Sequence, residues 1–111
     1  MNKFLMAAIV SCAATGGAYA AAPSMLCRAT DVEQYYNVVA PEKGKVLLQV
    51  DGGNFLEGIG QTIDNKVIAI TINATNGDIY MIVDMNTDKG LIKIEYKDGR
   101  AYQHPVTCLY R

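Results

Sequence analysis

The sequence predicts a mainly β fold, an antiparallel meander of about six strands forming a curled sheet or a small barrel, with one short N-terminal helix. Three features of the 111-residue chain support this prediction. From Lys45 onward, short apolar runs alternate with polar residues. Turn dipeptides separate these runs every eight to twelve residues or so, as in sandwiches and barrels. The first twenty residues resemble an export signal rather than part of the fold.

Residues 1–20 have the three parts of a secretory signal peptide. A lysine stands near the start, residues 4–14 are almost entirely apolar, and the small residues Ala18 and Ala20 precede a cleavage site. The apolar run is too short to anchor the chain across a bilayer. We expect cleavage after Ala20 and a periplasmic or secreted protein. Lipid attachment at Cys12, which follows a small residue, is the less favoured alternative.

Removal of this signal leaves a chain of 91 residues and moves the formal charge from −1 to −2, because Lys3 is the only charge removed. We expect a loose leader over 21–29 and a single β-rich domain over 30–111. A mixed surface without a basic face argues against a nucleic-acid partner. No later segment is apolar and long enough to predict a transmembrane helix.

The mature chain would keep two cysteines, Cys27 and Cys108, near its two ends. In an oxidising compartment such a pair predicts a structural disulfide. Closing so long a loop would stabilise the fold by about 4.5 kcal/mol in the chain-entropy model. A redox or metal pair is the alternative, but the chain has no CxxC motif and its only histidine is His104.

The predicted helix covers residues 31–39. Thr30 and Glu33 have the spacing of a capping box. The apolar residues behind them fall on one helical face, at Val32, Tyr35, Tyr36 and Val39. Pro41 would end the helix. Because valine and tyrosine also favour strands, a strand here is the alternative.

Six strands are predicted after the helix, over residues 45–50, 54–63, 66–73, 78–84, 91–96 and 100–110. Asn76 and Gly77 predict a hairpin with a type I′ turn, in which both central residues have positive φ. Gly58 and Gly60 share one face of their strand and predict a bend or a close backbone approach. Pro105 predicts a bend in the last strand.

The strands 66–73 and 78–84 are apolar on both faces, which a sheet with one solvated face does not require. We expect the N-terminal helix to cover the second face. A partner or a lipid could cover it instead.

One loop carries some of the oxygen ligands that an EF-hand calcium site requires. Asp84, Asn86 and Asp88 follow the spacing of the first EF-hand ligands, and Glu95 falls at the twelfth position. Lys89 stands where the motif needs glycine, and the flanking segments are predicted strands. A solvated hairpin loop is therefore the favoured interpretation, and no cofactor is expected, with calcium as the alternative.

A second pattern lies in the same part of the chain: Gly77 with Tyr80 three residues later, then Lys89 followed by glycine, then Tyr96 followed by lysine, and Cys108 near the C-terminus. This pattern resembles that of the periplasmic and membrane-bound inhibitors of c-type lysozyme, which are small disulfide-tied β-barrels. The resemblance implies that Lys89 enters the acidic lysozyme cleft, that Gly77 is the turn residue and that Tyr80 is the strand aromatic. Asn76 replaces the serine of the family's turn.

The residues predict no enzyme. His104 precedes a proline in a strand, no GxSxG motif is present, and most acidic residues lie in or beside turns. We expect a small exported, non-enzymatic binding protein whose partner is another protein, with inhibition of a lysozyme-like enzyme as one hypothesis. A calcium- or ligand-binding module and a structural envelope component are the alternatives.

Overall fold

The computed structural model describes residues 19–110, and within this range the chain forms nine strands and no helix. The strands are β1 (Tyr19–Ala21), β2 (Met25–Ala29), β3 (Tyr35–Glu42), β4 (Gly44–Val50), β5 (Phe55–Ile63), β6 (Val67–Ala74), β7 (Gly77–Asp84), β8 (Lys89–Tyr96) and β9 (Ala101–Tyr110). The predicted mainly β, antiparallel fold is confirmed, and the six predicted strands correspond to β4–β9. Residues 1–18, with Cys12 and most of the predicted signal peptide, lie outside the described range.

Eight of the strands close into a barrel. From β2 to β9 each strand pairs with the next one along the chain, and β2 pairs with β9. Every pairing is antiparallel, and hairpin loops of one to five residues connect the strands from β2 to β9. The sequence predicted either a curled sheet or a small barrel, and the fold is the closed barrel. Closure removes the exposed edges of the sheet. β1 lies outside the ring, against residues 61–63 of β5.

The ring turns a corner at β5, whose first part pairs with β4 and whose last part pairs with β6. Gly58 and Gly60 lie at this corner. A Cβ on Gly58 would collide with the backbone oxygen of Thr71, and one on Gly60 would lie 2.7 Å from Cγ1 of Val46. The predicted close backbone approach is therefore present, and only glycine leaves room for it.

The helix predicted over 31–39 is wrong. Residues 31–33 form a bend, and β3 begins at Tyr35. Burial in β3 follows the two-residue period of a strand: Tyr36 and Val38 are fully buried while Tyr35 is 50% exposed. The tertiary reason is β2, which offers β3 a partner strand. The predicted leader over 21–29 contains β2, so the barrel begins earlier than expected.

The hairpin predicted at Asn76 is present, but the prediction of a type I′ turn is wrong. β6 ends at Ala74 and β7 begins at Gly77, and neither Asn76 nor Gly77 has a positive φ. Positive φ at two consecutive turn residues occurs instead at Asp64 and Asn65, both at 54°, and at Asp51 and Gly52, at 50° and 78°. Gly77 is needed for a different reason, because a Cβ there would collide with the backbone of β8 at Glu95.

The barrel interior is filled by side chains from every strand of the ring. Its largest fully buried members are Tyr36, Met25, Leu48, Ile68, Ile70, Ile72, Met81 and Ile92. A second, smaller cluster lies on the outer face of β6 and β7, where Ala69 and Tyr80 are buried beside Ile63 and Ile82. Both faces of these strands are therefore apolar, as predicted, but no helix of residues 19–110 covers the outer one.

The predicted disulfide is confirmed. Cys27 on β2 and Cys108 on β9 lie directly opposite each other and are bonded. Both residues are fully buried in the core. The bond therefore fixes the one pair of strands in the ring that no hairpin joins, and it is compatible with an oxidising, exported location.

Candidate functional site

The barrel has two ends with different loops. One end, called the open end here, carries the loops 30–34, 51–54, 75–76 and 97–100. The opposite end, called the far end, carries the connection at residue 43 and the loops 64–66 and 85–88. Strand direction in an antiparallel ring fixes this division, because consecutive turns alternate between the two ends.

At the open end the core does not reach the loops, and a cavity of about 410 Å³ remains. Its walls are apolar, from Val50, Leu56, Ile79 and Ile94. Its rim is polar and uncharged, from Gln34, Thr75, Asn76 and Tyr96, with Ala74 and Gly77 completing the lining. No charged side chain lines the cavity, so it suits an apolar group.

Exposed apolar side chains surround this opening. Five of the eight large hydrophobic side chains that are exposed in residues 21–110 lie at the open end and are called the collar: Val32, Tyr35, Phe55, Tyr96 and Tyr102. Each is a loop residue or lies at or next to a strand end beside one of these loops. The collar forms because the sequence has an apolar residue in or next to a turn at each of these positions.

Local contacts hold part of the collar in place. The rings of Tyr96 and Tyr102 meet edge to face, with centroids 5.9 Å apart. The guanidinium of Arg100 lies 4.8 Å from the centroid of the Tyr96 ring and is fixed by Asp98, 2.7 Å from its Nε. The backbone N–H of Tyr35 donates to Oδ1 of Asp51 at 2.7 Å. The ring contacts of Tyr96 reduce the rotamer freedom that a partner would have to restrict on binding.

The charge at the open end is mainly negative. Its loops carry four carboxylates, from Asp31, Glu33, Asp51 and Asp98, and two cations, from Lys97 and Arg100. Arg28 offsets part of this charge on the outer side of loop 30–34, where it shares a groove with Asp31 and Glu33. The far-end loops, counted with residue 43, carry two charges of each sign: Lys43, Lys66, Asp64 and Asp88.

Tyr36 lies between the loop carboxylates and the cavity rim. The buried hydroxyl of Tyr36 donates to Oε1 of Gln34, which lines the cavity. Burial raises the pKa of Tyr36 to about 12, and the carboxylates of Asp51 and Asp31 add to this increase. Asp31 also holds the loop against β9, since both its oxygens lie 3.1 Å from Nδ1 of His104.

The residues suggested by the inhibitor resemblance do not share one site. Asn76 and Gly77 belong to the open-end rim. Tyr80 is buried in the outer cluster, where its hydroxyl lies 3.3 Å from Oδ2 of Asp78. Lys89 pairs with Asp84 at the far end of β7, about 24 Å from Gly77 by the antiparallel rise per residue. A single narrow cleft could not receive Gly77 and Lys89 together.

Of the four residues suggested as calcium ligands, three lie in one turn and Glu95 lies apart from them. Asp84 accepts a hydrogen bond from the backbone N–H of Asn86 at 2.8 Å, and the N–H of Asp88 donates to the Asp84 carbonyl at 2.8 Å. These contacts form the β7–β8 turn. Glu95 pairs with Asp78 near the other end of the hairpin and lies 3.3 Å from the Lys93 ammonium. Residues 19–110 contain no group of three or more acidic, histidine or cysteine side chains placed to hold a metal ion.

The sequence did not predict most residues of the open-end site. Asn76 and Gly77 were found through a motif, but the cavity walls come from four different strands whose ends meet only in the closed ring. A usable signal was nevertheless present, since aromatic residues stand beside turns at Tyr35, Phe55, Tyr96 and Tyr102.

Comparison with protein-family models, with curated proteins and with solved structures found no match to this chain. Within residues 19–110 no helix could cross a membrane.

Proposed function

We propose that this protein is a small, exported, non-enzymatic binding protein that recognises another protein through the open end of its barrel. The observation that carries this proposal is the collar around the cavity. Clustered exposed apolar side chains mark interaction sites. Tyrosine and arginine next to a pocket are also the residue types that contribute most to protein interfaces.

The proposal assigns separate roles to the parts of the open end. The collar would supply the apolar contact area, and the cavity would accept a protruding group of the partner. Arg100 lies against Tyr96 and Asp98 and would form part of the rim. Binding through these groups requires no chemical step, in keeping with the expectation of a non-enzymatic protein.

The first partner to test is a c-type lysozyme, because the sequence pattern resembles that of its inhibitors. Asn76 and Gly77 belong to the open end, so the resemblance and the collar favour the same surface. The formal charge of −2 expected for the mature chain also favours an encounter with a basic enzyme. Lys89 lies at the other end and has no role in this proposal.

The first experiment adds purified residues 21–111, with the disulfide formed, to a c-type lysozyme acting on cell walls. We expect inhibition that Tyr96→Ala abolishes. Leu109→Ala is the matched control, since Leu109 is a hydrophobic residue 70% exposed near the far end. Inhibition by the Lys89→Ala variant should equal that of the unmodified protein. No inhibition at a large molar excess would remove lysozyme as the partner.

A second experiment tests the surface without assuming the partner. The unmodified protein, a Phe55→Ala/Tyr96→Ala double variant and Leu109→Ala are each immobilised and exposed to proteins of the exported fraction. We expect the unmodified protein and the control to capture the same partner and the double variant to lose it. Capture of that partner by the double variant would show that the open end is not the binding surface.

A further inference from the structure

We infer that the cavity at the open end receives one aliphatic side chain of the partner, and that lysine or arginine residues flank this side chain in the partner's sequence. This inference deepens the proposed function and rests on it. It specifies the chemistry that the partner must present, whichever protein that partner is.

The lining of the cavity determines what can enter. Four aliphatic side chains form the walls, and none of the ten lining residues is charged. A cation or carboxylate inside would lose its hydration without gaining an opposite charge, which is strongly unfavourable. An aliphatic group would instead be transferred from water to an apolar site. The walls thus select an apolar group, and the charges of the partner must remain outside.

The size of the cavity suits one side chain rather than a folded segment. About 410 Å³ lies near the lower limit of pockets that hold small organic ligands. The opening is lined by Gln34 on one side and by Asn76 and Tyr96 on the other. A leucine, isoleucine or methionine at the tip of a partner loop could enter while the loop's backbone stays at the polar rim.

The charges outside the cavity determine what flanks that side chain. Asp31 and Asp51 both act on Tyr36, whose hydroxyl contacts Gln34 at the rim. On the opposite side, Asp98 lies 2.7 Å from Nε of Arg100, and Lys97 belongs to the same loop. Summed over the open-end loops, four carboxylates outnumber two cations, and Arg28 beside them leaves an excess of one carboxylate. Cationic residues next to the inserted side chain would therefore meet net negative charge, whereas anionic residues would be repelled.

Three end-blocked peptides separate the two parts of the inference: Gly-Lys-Leu-Lys-Gly, Gly-Glu-Leu-Glu-Gly and Gly-Lys-Ser-Lys-Gly. Each is titrated into residues 21–111, and binding is followed through the methyl NMR signals of Val50, Leu56, Ile79 and Ile94. We expect the lysine–leucine peptide to bind most tightly. Replacing leucine by serine should weaken binding roughly tenfold or more, the scale set by burial of one aliphatic side chain.

Replacing the two lysines by glutamates should weaken binding several-fold, and added salt should reduce this difference. The protein variant Asp31→Asn/Asp51→Asn should also reduce it, because asparagine keeps the oxygen that accepts from Tyr35. Asp64→Asn is the matched control, since Asp64 lies at the far end with a φ of 54°, close to the 50° of Asp51. Leu56→Phe, which fills the cavity, should remove leucine binding.

Equal binding of the leucine and serine peptides would overturn the insertion of an aliphatic side chain. Equal binding of the lysine and glutamate peptides would overturn the cationic flanks. Either failure would leave the proposed function standing if the Phe55→Ala/Tyr96→Ala variant still loses its protein partner. If the peptides bind as expected while that variant keeps its partner, the proposed function fails and the cavity remains a peptide site.

Discussion

The two ends of the barrel are built from the same strands but finish differently. At the far end the interior is filled: Met25 is fully buried, and Met85 packs against the core from its loop. Asp88 closes this end. Its carbonyl oxygen accepts a hydrogen bond from the backbone N–H of Cys108 at 2.8 Å, and its side chain hydrogen bonds to Tyr110. At the open end, Leu56 and Ile94 border a cavity instead.

The difference shows that closing a sheet and filling its interior are separate tasks. Main-chain pairing closes the ring regardless of which side chains point inward at its ends. The loops then decide whether an end is filled. Far-end loops contribute Met85 to the core, whereas the open-end loops contribute no residue to it and are bordered by the collar. The candidate function lies where the core stops.

The largest effect should come from the disulfide, which joins the central one of the five residue pairs between β2 and β9 and lies near the far end of β9. Replacing Cys27 and Cys108 together with alanine should lower the free energy of unfolding by about 2–5 kcal/mol. Urea denaturation of oxidised wild type and the double variant measures this loss. Hydrogen exchange should accelerate more in far-end amides than in open-end amides. Uniform acceleration would mean that the two ends do not open separately.

The next effect compares one filling side chain with one cavity wall. Met25→Ala should lower the free energy of unfolding by about 2–5 kcal/mol, because it leaves a void in a packed region. Leu56→Ala should lower it by only roughly 1 kcal/mol, because this side chain is partly exposed and already borders empty space. Thermal and chemical denaturation of the two variants measures the difference. Equal losses would contradict the contrast between a filled and an open end.

A smaller effect should appear at alkaline pH. The pKa of Tyr36 is raised to about 12 by burial first and then by Asp51 and Asp31. A raised folded-state pKa stabilises the protein fully below the unfolded value near 10 and loses this contribution as pH rises to about 12. Tyr36→Phe should therefore flatten the loss of stability between pH 10 and 12, while costing about 1 kcal/mol at neutral pH through the lost bond to Gln34.

Tyrosinate absorbance and denaturation midpoints across this range test the prediction. Tyr110 at the far end also has a pKa raised to about 12, with burial first and the hydrogen bond to Asp88 second. Because Tyr110 is 38% exposed, Tyr110→Phe should alter the alkaline profile less than Tyr36→Phe. A larger change from Tyr110→Phe would reverse the order expected for the two ends.

The smallest expected effect is that of calcium on the far-end loop. Asp84 and Asp88 are engaged in the turn, and Glu95 lies near the other end of the hairpin. Millimolar calcium should therefore leave the melting temperature unchanged, because no affinity for the folded state means no stabilisation. A calcium-dependent rise that Asp84→Asn removes would contradict this expectation.

How far the sequence predicts this molecule depends on whether the deciding interaction is local. β4 to β9 were predictable because apolar–polar alternation and turn residues such as Asp98 and Gly99 can be recognised from a few neighbouring positions in the sequence. β3 was not, because Val32, Tyr35 and Tyr36 fit a helical period as well as a strand. Only pairing with β2 decides between them, and β2 itself has just five residues.

The candidate site shows the same limit. Asn76 could be recognised from its neighbour Gly77, although the glycine serves a close approach to Glu95 rather than a primed turn. Val50 and Ile94 became site residues only because distant strands meet in the ring. Conversely, the family pattern suggested that Gly77 and Lys89 belong to one surface. The length of β7 instead places them at opposite ends of the barrel.

The positions of the chain ends have a consequence for how the protein is displayed. Tyr19 lies opposite Ile63, and Tyr110 lies opposite Met25, so β1 and β9 both leave the barrel at the far end. A lipid, a fusion partner or a surface attached beyond either residue would therefore approach the filled end. The collar would then project away from the attachment point, by about 25 Å for strands of eight residues, and would face the surroundings.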